Sequence, residues 1–171
     1  AERKKIDVSK ITDLKIFLKI NPVDIIINCA SYNKVDKAEK EKISAYNVNK
    51  KGVDNLINIS KKLNISLIHI STDSVFDGNS TIPYSENDNV HPLSIYAKSK
   101  NEGEKIFLKL KPKGIIIRTS WLYSSYGNNF VKKIIKLSLK KNILKVVNDQ
   151  FGTPTYARDL AKAIIIIISS K

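Results

Sequence analysis

The stretch "VDIIINCA", Val23 to Ala30, sets three isoleucines in a row where a half-exposed strand would alternate apolar with polar residues. A continuous apolar run suits a strand buried on both faces, and such strands belong to parallel sheets covered by helices. Asn21-Pro22 just before it closes a helix, because proline disfavours helical geometry in the residue it follows. That helix carries Ile11, Leu14, Phe17 and Leu18 on one face, with Ser9 or Thr12 as its cap. "KKIDV", Lys4 to Val8, reads as a short strand ahead of it.

Downstream the alternation continues. Helical periodicity runs from about Lys37 to Leu63 through Ala45, Val48, Val53, Leu56 and Ile57, with a bend expected near Gly52. "ISLIHIS", Ile65 to Ser71, is a second strand. A long loop rich in Asp, Asn, Ser and Pro follows from Thr72 to Pro92, a length that in compact domains usually means either function or disorder. A helix from Leu93 to Leu110, the strand "GIIIRTS" at Gly114 to Ser120 and the helix "NNFVKKIIKLSLKK" come next. The strand "LKVVN" and a helix from Tyr156 to Ile168 end the series. The pattern predicts an α/β fold, a parallel sheet flanked by helices, as one domain over residues 1–171.

Composition narrows the function. A chain of 171 residues with 42% hydrophobic content can bury a core. Its longest apolar run, "AIIIII" at Ala163 to Ile168, is too short for a bilayer and reads as buried. The opening "AERKKIDV" has no apolar signal region, so a cytoplasmic protein without a membrane partner is expected. The one cysteine, Cys29, excludes an intramolecular disulfide and a Cys-based metal cluster, and inside an apolar run it reads as a small buried hydrophobe. His69 and His91 lack any metal or triad pattern and read as structural, so no metal site is expected. The net charge is +14, but the lysines are scattered and only Arg3, Arg118 and Arg158 are arginines. Biased composition explains this better than a nucleic-acid surface. The positive field would still attract a polyanionic small ligand.

Ligands of parallel sheets sit beyond the carboxyl ends of the strands. Those ends read "CASYNKVD", "HISTDSVFDG" and "RTSWLYSSYGNN", all rich in hydroxyls and small polar groups. In "YAKSK", Tyr96 and Lys100 are four residues apart and share one helix face. A lysine cation beside a phenol favours the phenolate and lowers its pKa toward the range useful for proton transfer. The same spacing also fits an ordinary amphipathic helix in a lysine-rich chain. What tips the reading is chain order: "STD", Ser71 to Asp73, closes the strand before that helix. Trp121 by itself reads more readily as core, Tyr84, Tyr123 and Tyr126 as packing, and Asn47 and Asn49 as closing helix turns.

Several longer motifs add specificity: "IDVSKITDL", "NPVDIIINCASYNKVDKAE", "AYNVNKKGVDNL", "HISTDSVFDGNSTIPYSENDNVHPLSIYAKSKNEGE", "RTSWLY", "GNNF" and "VVNDQFGTPTYARDLA". With these, the chain resembles the extended short-chain dehydrogenase/reductases, and among them the dTDP-4-dehydrorhamnose reductase family. The resemblance implies a Rossmann-like domain, a reduced nicotinamide cofactor (NADPH or NADH) and a nucleotide-sugar substrate. The implied reaction reduces dTDP-4-dehydro-L-rhamnose to dTDP-L-rhamnose. It also implies roles. Tyr96 donates a proton to the keto oxygen, Lys100 holds the nicotinamide ribose, and Thr72 hydrogen-bonds the reacting oxygen. Asp73 and Trp121 line the sugar pocket, helped by "GTPT", Gly152 to Thr155. Asp7 and Val8 border the adenine; Ser31, Tyr32 and Asn33 border ribose and phosphates; Ile70 contributes its backbone. A homodimer is compatible with the family.

The pattern departs from the family in places. Members begin with a strand and a G-x-x-G-x-x-G turn that meets the cofactor pyrophosphate, whereas the six glycines here are spread singly. The expected fold therefore lacks the first βαβ unit and the C-terminal substrate-domain elements. Ser74 and Asn33 replace a usual tyrosine and threonine. Two further readings share many motifs: a non-catalytic subunit like the regulatory β subunit of methionine adenosyltransferase, and another nucleotide-sugar epimerase or dehydratase. Ser74, where a dehydratase carries an acid, speaks against the last.

Overall fold

Strands β1 (Ile25–Asn28) and β2 (Ser66–Thr72) pair in parallel, in register from Ile25 opposite Ser66 to Asn28 opposite His69. Strand β3 (Gly114–Thr119) lies on the other side of β2, giving the order β1-β2-β3. The computed structural model describes residues 6–170, and its backbone divides into two compact units, Ala1–Arg118 and Thr119–Lys171, where the sequence suggests one domain. The α/β class with a parallel sheet and flanking helices is as expected.

One face of the first unit's sheet carries the core. Leu14 and Leu18 of α1 (Ile11–Ile20), Val53, Leu56 and Ile57 of α4 (Gly52–Leu63), Leu67 of β2 and Phe107 of α5 (Ile95–Leu110) pack together. Asn21 caps α1 ahead of Pro22, as the sequence predicts, although Lys10 rather than Ser9 or Thr12 stands at its start. Strand β1 is not buried on both faces. Ile27 and Cys29 are exposed, because only the Ile26 face of β1 meets the core.

Of the expected strand at Lys4 to Val8, Lys4 and Lys5 lie outside the described residues. Ile6 to Val8 form no strand. The Asp7 carboxylate accepts from the Ser9 amide (3.0 Å) and hydroxyl (2.7 Å), and this side-chain turn takes up groups a strand would need. The single helix expected from Lys37 to Leu63 is also divided. It consists of α2 (Val35–Ala38), α3 (Lys42–Tyr46), a π-helical turn at Asn47–Lys51 and α4. The wide turn ends at Gly52, the place where the sequence suggests a bend.

Helix α5 begins where Ser94 Oγ accepts from the Ala97 amide at 3.1 Å. Gly103 lets this helix approach the π-helical turn closely, since a Cβ there would overlap the Asn49 carbonyl. Gly103→Ala is therefore expected to force α5 outward. The overpacking cost of about 1–3 kcal/mol outweighs the better helix propensity of alanine, about 1 kcal/mol. A lower urea midpoint checks this, and an unchanged or higher midpoint would contradict it.

In the second unit, β4 (Leu122–Tyr123) pairs in parallel with β5 (Thr155–Tyr156). Helix α6 (Phe130–Ser138) is capped by Asn129, whose Oδ1 accepts from the Lys132 amide, and α7 (Ala157–Ser169) follows β5. "LKVVN" forms no strand: Val146 and Val147 are exposed, and β-propensity without a partner strand does not make one. Of the "AIIIII" run, Ile164 is buried while Ile165 and Ile166 are exposed, because a helix turns successive residues to different faces. No helix among the described residues is long and apolar enough to cross a membrane.

Candidate active site

Three chain segments of the first unit converge on one phenol. Strand β2 delivers Thr72 in extended backbone, and its Oγ1 accepts from the Ser74 amide at 3.2 Å to start a 3₁₀ turn at Asp73–Val75. The Thr72 hydroxyl also lies 3.2 Å from Asp73 Oδ1 and 3.1 Å from Ser74 Oγ. Tyr96 is the second residue of α5, and the side chains of Thr72 and Ser31 lie near enough to its phenol to act on its acidity. Ser31 comes from the loop that follows β1. The sequence-expected pair Thr72 and Tyr96 is thus brought together, with Ser31 as a third partner.

Burial pushes the Tyr96 phenol above its ordinary pKa; the Thr72 and Ser31 side chains pull it down, and the Asp73 charge raises it further. The net direction is opposite to the lowering the sequence suggests. Lys100, only 2% exposed, turns its Nζ to the Ile70 carbonyl at 2.6 Å. Burial lowers the Lys100 amine to about 8, with Glu104 and Cys29 acting the other way. At neutral pH the site therefore holds a protonated phenol, able to give a proton, and a lysine that is still cationic. Burial likewise raises the Asp73 carboxyl, against its bonds to Thr72 and Ser74.

The cofactor-side residues fall into place unevenly. Asp7, Val8 and Ser31 line a common cleft of about 680 Å³ beside β1, together with Cys29 and Ala30. Tyr32 faces elsewhere: its ring is buried against Ala38 and Ala45, and its hydroxyl donates to Glu41 at 2.6 Å. Asn33 is exposed, and the Ile70 carbonyl serves to hold Lys100. The rest of the cleft's lining is largely apolar, from α1, β1 and α4, a surface of the kind that suits a heteroaromatic ring, and Ser31 also neighbours Tyr96.

Sequence reasoning missed Asn49, read there as closing a helix turn. Buried at 1% exposure, its Oδ1 accepts from the Tyr32 amide (2.8 Å) and the Ser31 hydroxyl (3.2 Å). Its amide nitrogen donates to the Tyr32 carbonyl (3.1 Å) and Ser99 Oγ (2.9 Å). One side chain thereby joins the loop after β1 to α5. The only signal in the sequence was an asparagine-rich "NVN" inside an otherwise helical stretch.

Within the second unit Trp121 is half exposed, so it is not the core residue that composition favours. It sits in the left-handed region (φ 43°), a strained position for a bulky residue. "GTPT" packs on it. A Cβ at Gly152 would come within 2.6 Å of the indole, the Ser120 hydroxyl donates to the Thr153 carbonyl, and the Thr155 amide donates to the Trp121 carbonyl at 3.3 Å. Tyr123 stacks on Tyr156, while Tyr126 is exposed.

Comparison with known proteins gives a consistent answer. The family model of the RmlD substrate binding domain matches residues 1–171. A dTDP-4-dehydrorhamnose reductase of Aggregatibacter actinomycetemcomitans is 50% identical over 144 residues, 84% of this chain and 49% of that protein. A dTDP-4-keto-6-deoxy-D-glucose reductase of Streptomyces niveus is 39% identical over 144 residues, 84% of this chain and 50% of the relative. The crystal structure of dTDP-4-dehydrorhamnose reductase from Bacillus anthracis, in complex with NADP, superposes with a TM-score of 0.94 at 41% identity. It covers 99% of this chain and 60% of that one. The chain spans about half the length of the curated relatives it matches.

Proposed function

The chain belongs to the RmlD substrate binding domain family, and from that membership we propose that the protein carrying it is an NADPH-dependent reductase of a dTDP-linked 4-keto sugar. The substrate favoured is dTDP-4-dehydro-L-rhamnose, reduced to dTDP-L-rhamnose, because the reductase that is 50% identical bears that substrate's name. The observation that carries the proposal is the neutral Tyr96 phenol at the start of α5, close to Thr72 at the end of β2 and to Ser31 in the loop after β1.

A bound reduced nicotinamide supplies the hydride. The residues of the chain do the rest. Tyr96 gives its proton to the keto oxygen as the carbonyl carbon is reduced, so the product is an alcohol and the phenol is left as phenolate. Thr72 hydrogen-bonds the same oxygen and spreads the charge that develops there. Lys100, on the same helix face, meets the phenolate charge with its own and holds the cofactor ribose. Asp7 and Val8 border the adenine. Ser31, the backbone of Tyr32, Asn33 and the backbone of Ile70 border the remainder of the cofactor. Asp73 contacts the sugar; Trp121 and Gly152 to Thr155 are given sugar-side roles by family resemblance alone.

The protein carrying residues 1–171 is expected to oxidise NADPH when supplied with dTDP-4-dehydrorhamnose, followed as loss of absorbance by the reduced cofactor. Bound cofactor with no substrate-dependent oxidation would overturn the assignment.

A further inference from the structure

One helical turn beyond Lys100, α5 carries Glu104, a carboxylate only 1% exposed. Arg118 of β3 grips it: Nη2 donates to Oε2 at 2.7 Å, and Nε lies 3.2 Å from both oxygens. The guanidinium carbon also stands 5.1 Å over the Phe76 ring, which stacks on Tyr84 at 4.3 Å. Phe76 follows directly on the turn that begins at Thr72. A single ion pair, its carboxylate buried and its guanidinium partly exposed, thus ties α5, β3 and the loop bearing Thr72 and Asp73.

Stability alone does not account for that pair. Taking two charges out of water is costly, and apolar residues of matched volume often fill such a space without loss. The surroundings of Lys100 suggest another use. The titratable groups that face it are Cys29 from the loop after β1, His69 from β2 and Glu104 from its own helix. Burial keeps the His69 imidazole uncharged at neutral pH, and partial desolvation raises the Cys29 thiol, which is exposed in part, further above neutrality. Glu104 is the negative charge among them.

We propose that Glu104, held in place by Arg118, is a positioning residue that keeps the buried Lys100 amine charged. The purpose of that charge rests on the reductase reading; the coupling itself does not. Arg118 supplies the geometry, since its forked contact fixes both oxygens of a carboxylate that stands one helical turn from Lys100 on the same face of α5.

The test is an NMR titration of the Lys100 side chain in the full chain, its resonance assigned by Lys100→Arg. The midpoint, about 8 in the unaltered protein, is expected to fall by about one pH unit in Glu104→Gln. Because that variant strands Arg118 and could unfold, the double variant Glu104→Met with Arg118→Met is titrated beside it. Its apolar side chains fill the space, and its midpoint is expected to fall as well. An unmoved midpoint in the folded double variant overturns the proposal. A lowered midpoint in a protein that never oxidises NADPH upholds the coupling and sinks the reductase reading instead.

Discussion

Tyr96→Phe is expected to lower kcat by about 10²–10⁴-fold, with KM for the nucleotide sugar within a few-fold of its original value. The change removes one oxygen. The ring stays packed against the cluster of Tyr32, Ala38 and Ala45, so the fold is retained. What is lost is the hydroxyl near Thr72 and Ser31, and with it, on the proposed reading, the proton that completes the alcohol. Since proton transfer develops in the transition state, its loss falls on turnover rather than on binding. Steady-state kinetics of the two proteins measure this. A kcat within tenfold of the unaltered enzyme would show that the proton comes from elsewhere.

The second large effect concerns acid stability and His69. This residue is fully buried, stacked on Phe107 with ring centroids 6.4 Å apart. The Asn28 amide meets its Nδ1 at 3.0 Å, and Asn28 Oδ1 accepts from the Ala30 amide at 3.1 Å. With its oxygen so engaged, Asn28 presents its NH₂ to the ring, so Nδ1 accepts and the proton of neutral His69 sits on Nε2. Nε2 has no partner among the described residues. Protonating Nδ1 would set donor against donor in a buried site.

Burial first, and the Lys100 charge second, lower the His69 pKa from 6.5 to about 3. The unfolded chain takes up its proton near 6.5, so between that value and about 3 it binds more protons than the folded one. Stability from neutral His69 is therefore fully present above pH 6.5 and drains away as pH falls toward 3. Its full size is on the order of 5 kcal/mol. His69→Gln keeps an acceptor for Asn28 and does not titrate. Its unfolding free energy, from denaturant curves at stepped pH, should fall less steeply across that window. Equal slopes in both proteins would mean that His69 does not carry the acid sensitivity.

These two residues illustrate what the sequence discloses. Apolar runs located β1 and β2, and the helix expected from Leu93 to Leu110 is α5 to within two residues, because both are local signals. The order of "STD" and "YAKSK" brought Thr72 and Tyr96 together on paper, since both lie at the same edge of a parallel sheet. Depth was not legible. The i, i+4 spacing gives a shared face but not the burial that pushes Tyr96 upward and turns Lys100 to the Ile70 carbonyl. Asn49 was hidden because its partners Ser31, Tyr32 and Ser99 are distant in the chain, and because the π-helical turn that aims it leaves no periodic trace. Glu104 and Arg118 looked like two more charges in a charged chain. "LKVVN" misled for the opposite reason: its strand propensity is real, but among the described residues no strand pairs with it.

The most direct measurement follows the hydrogen itself. NADPH carrying deuterium at the transferred position, given with dTDP-4-dehydrorhamnose to the protein bearing this chain, should yield a sugar deuterated at C4. The same label should appear at least about a hundredfold more slowly in Tyr96→Phe. Cofactor oxidation that leaves no deuterium in the sugar, or equal labelling rates in the two proteins, would contradict the account.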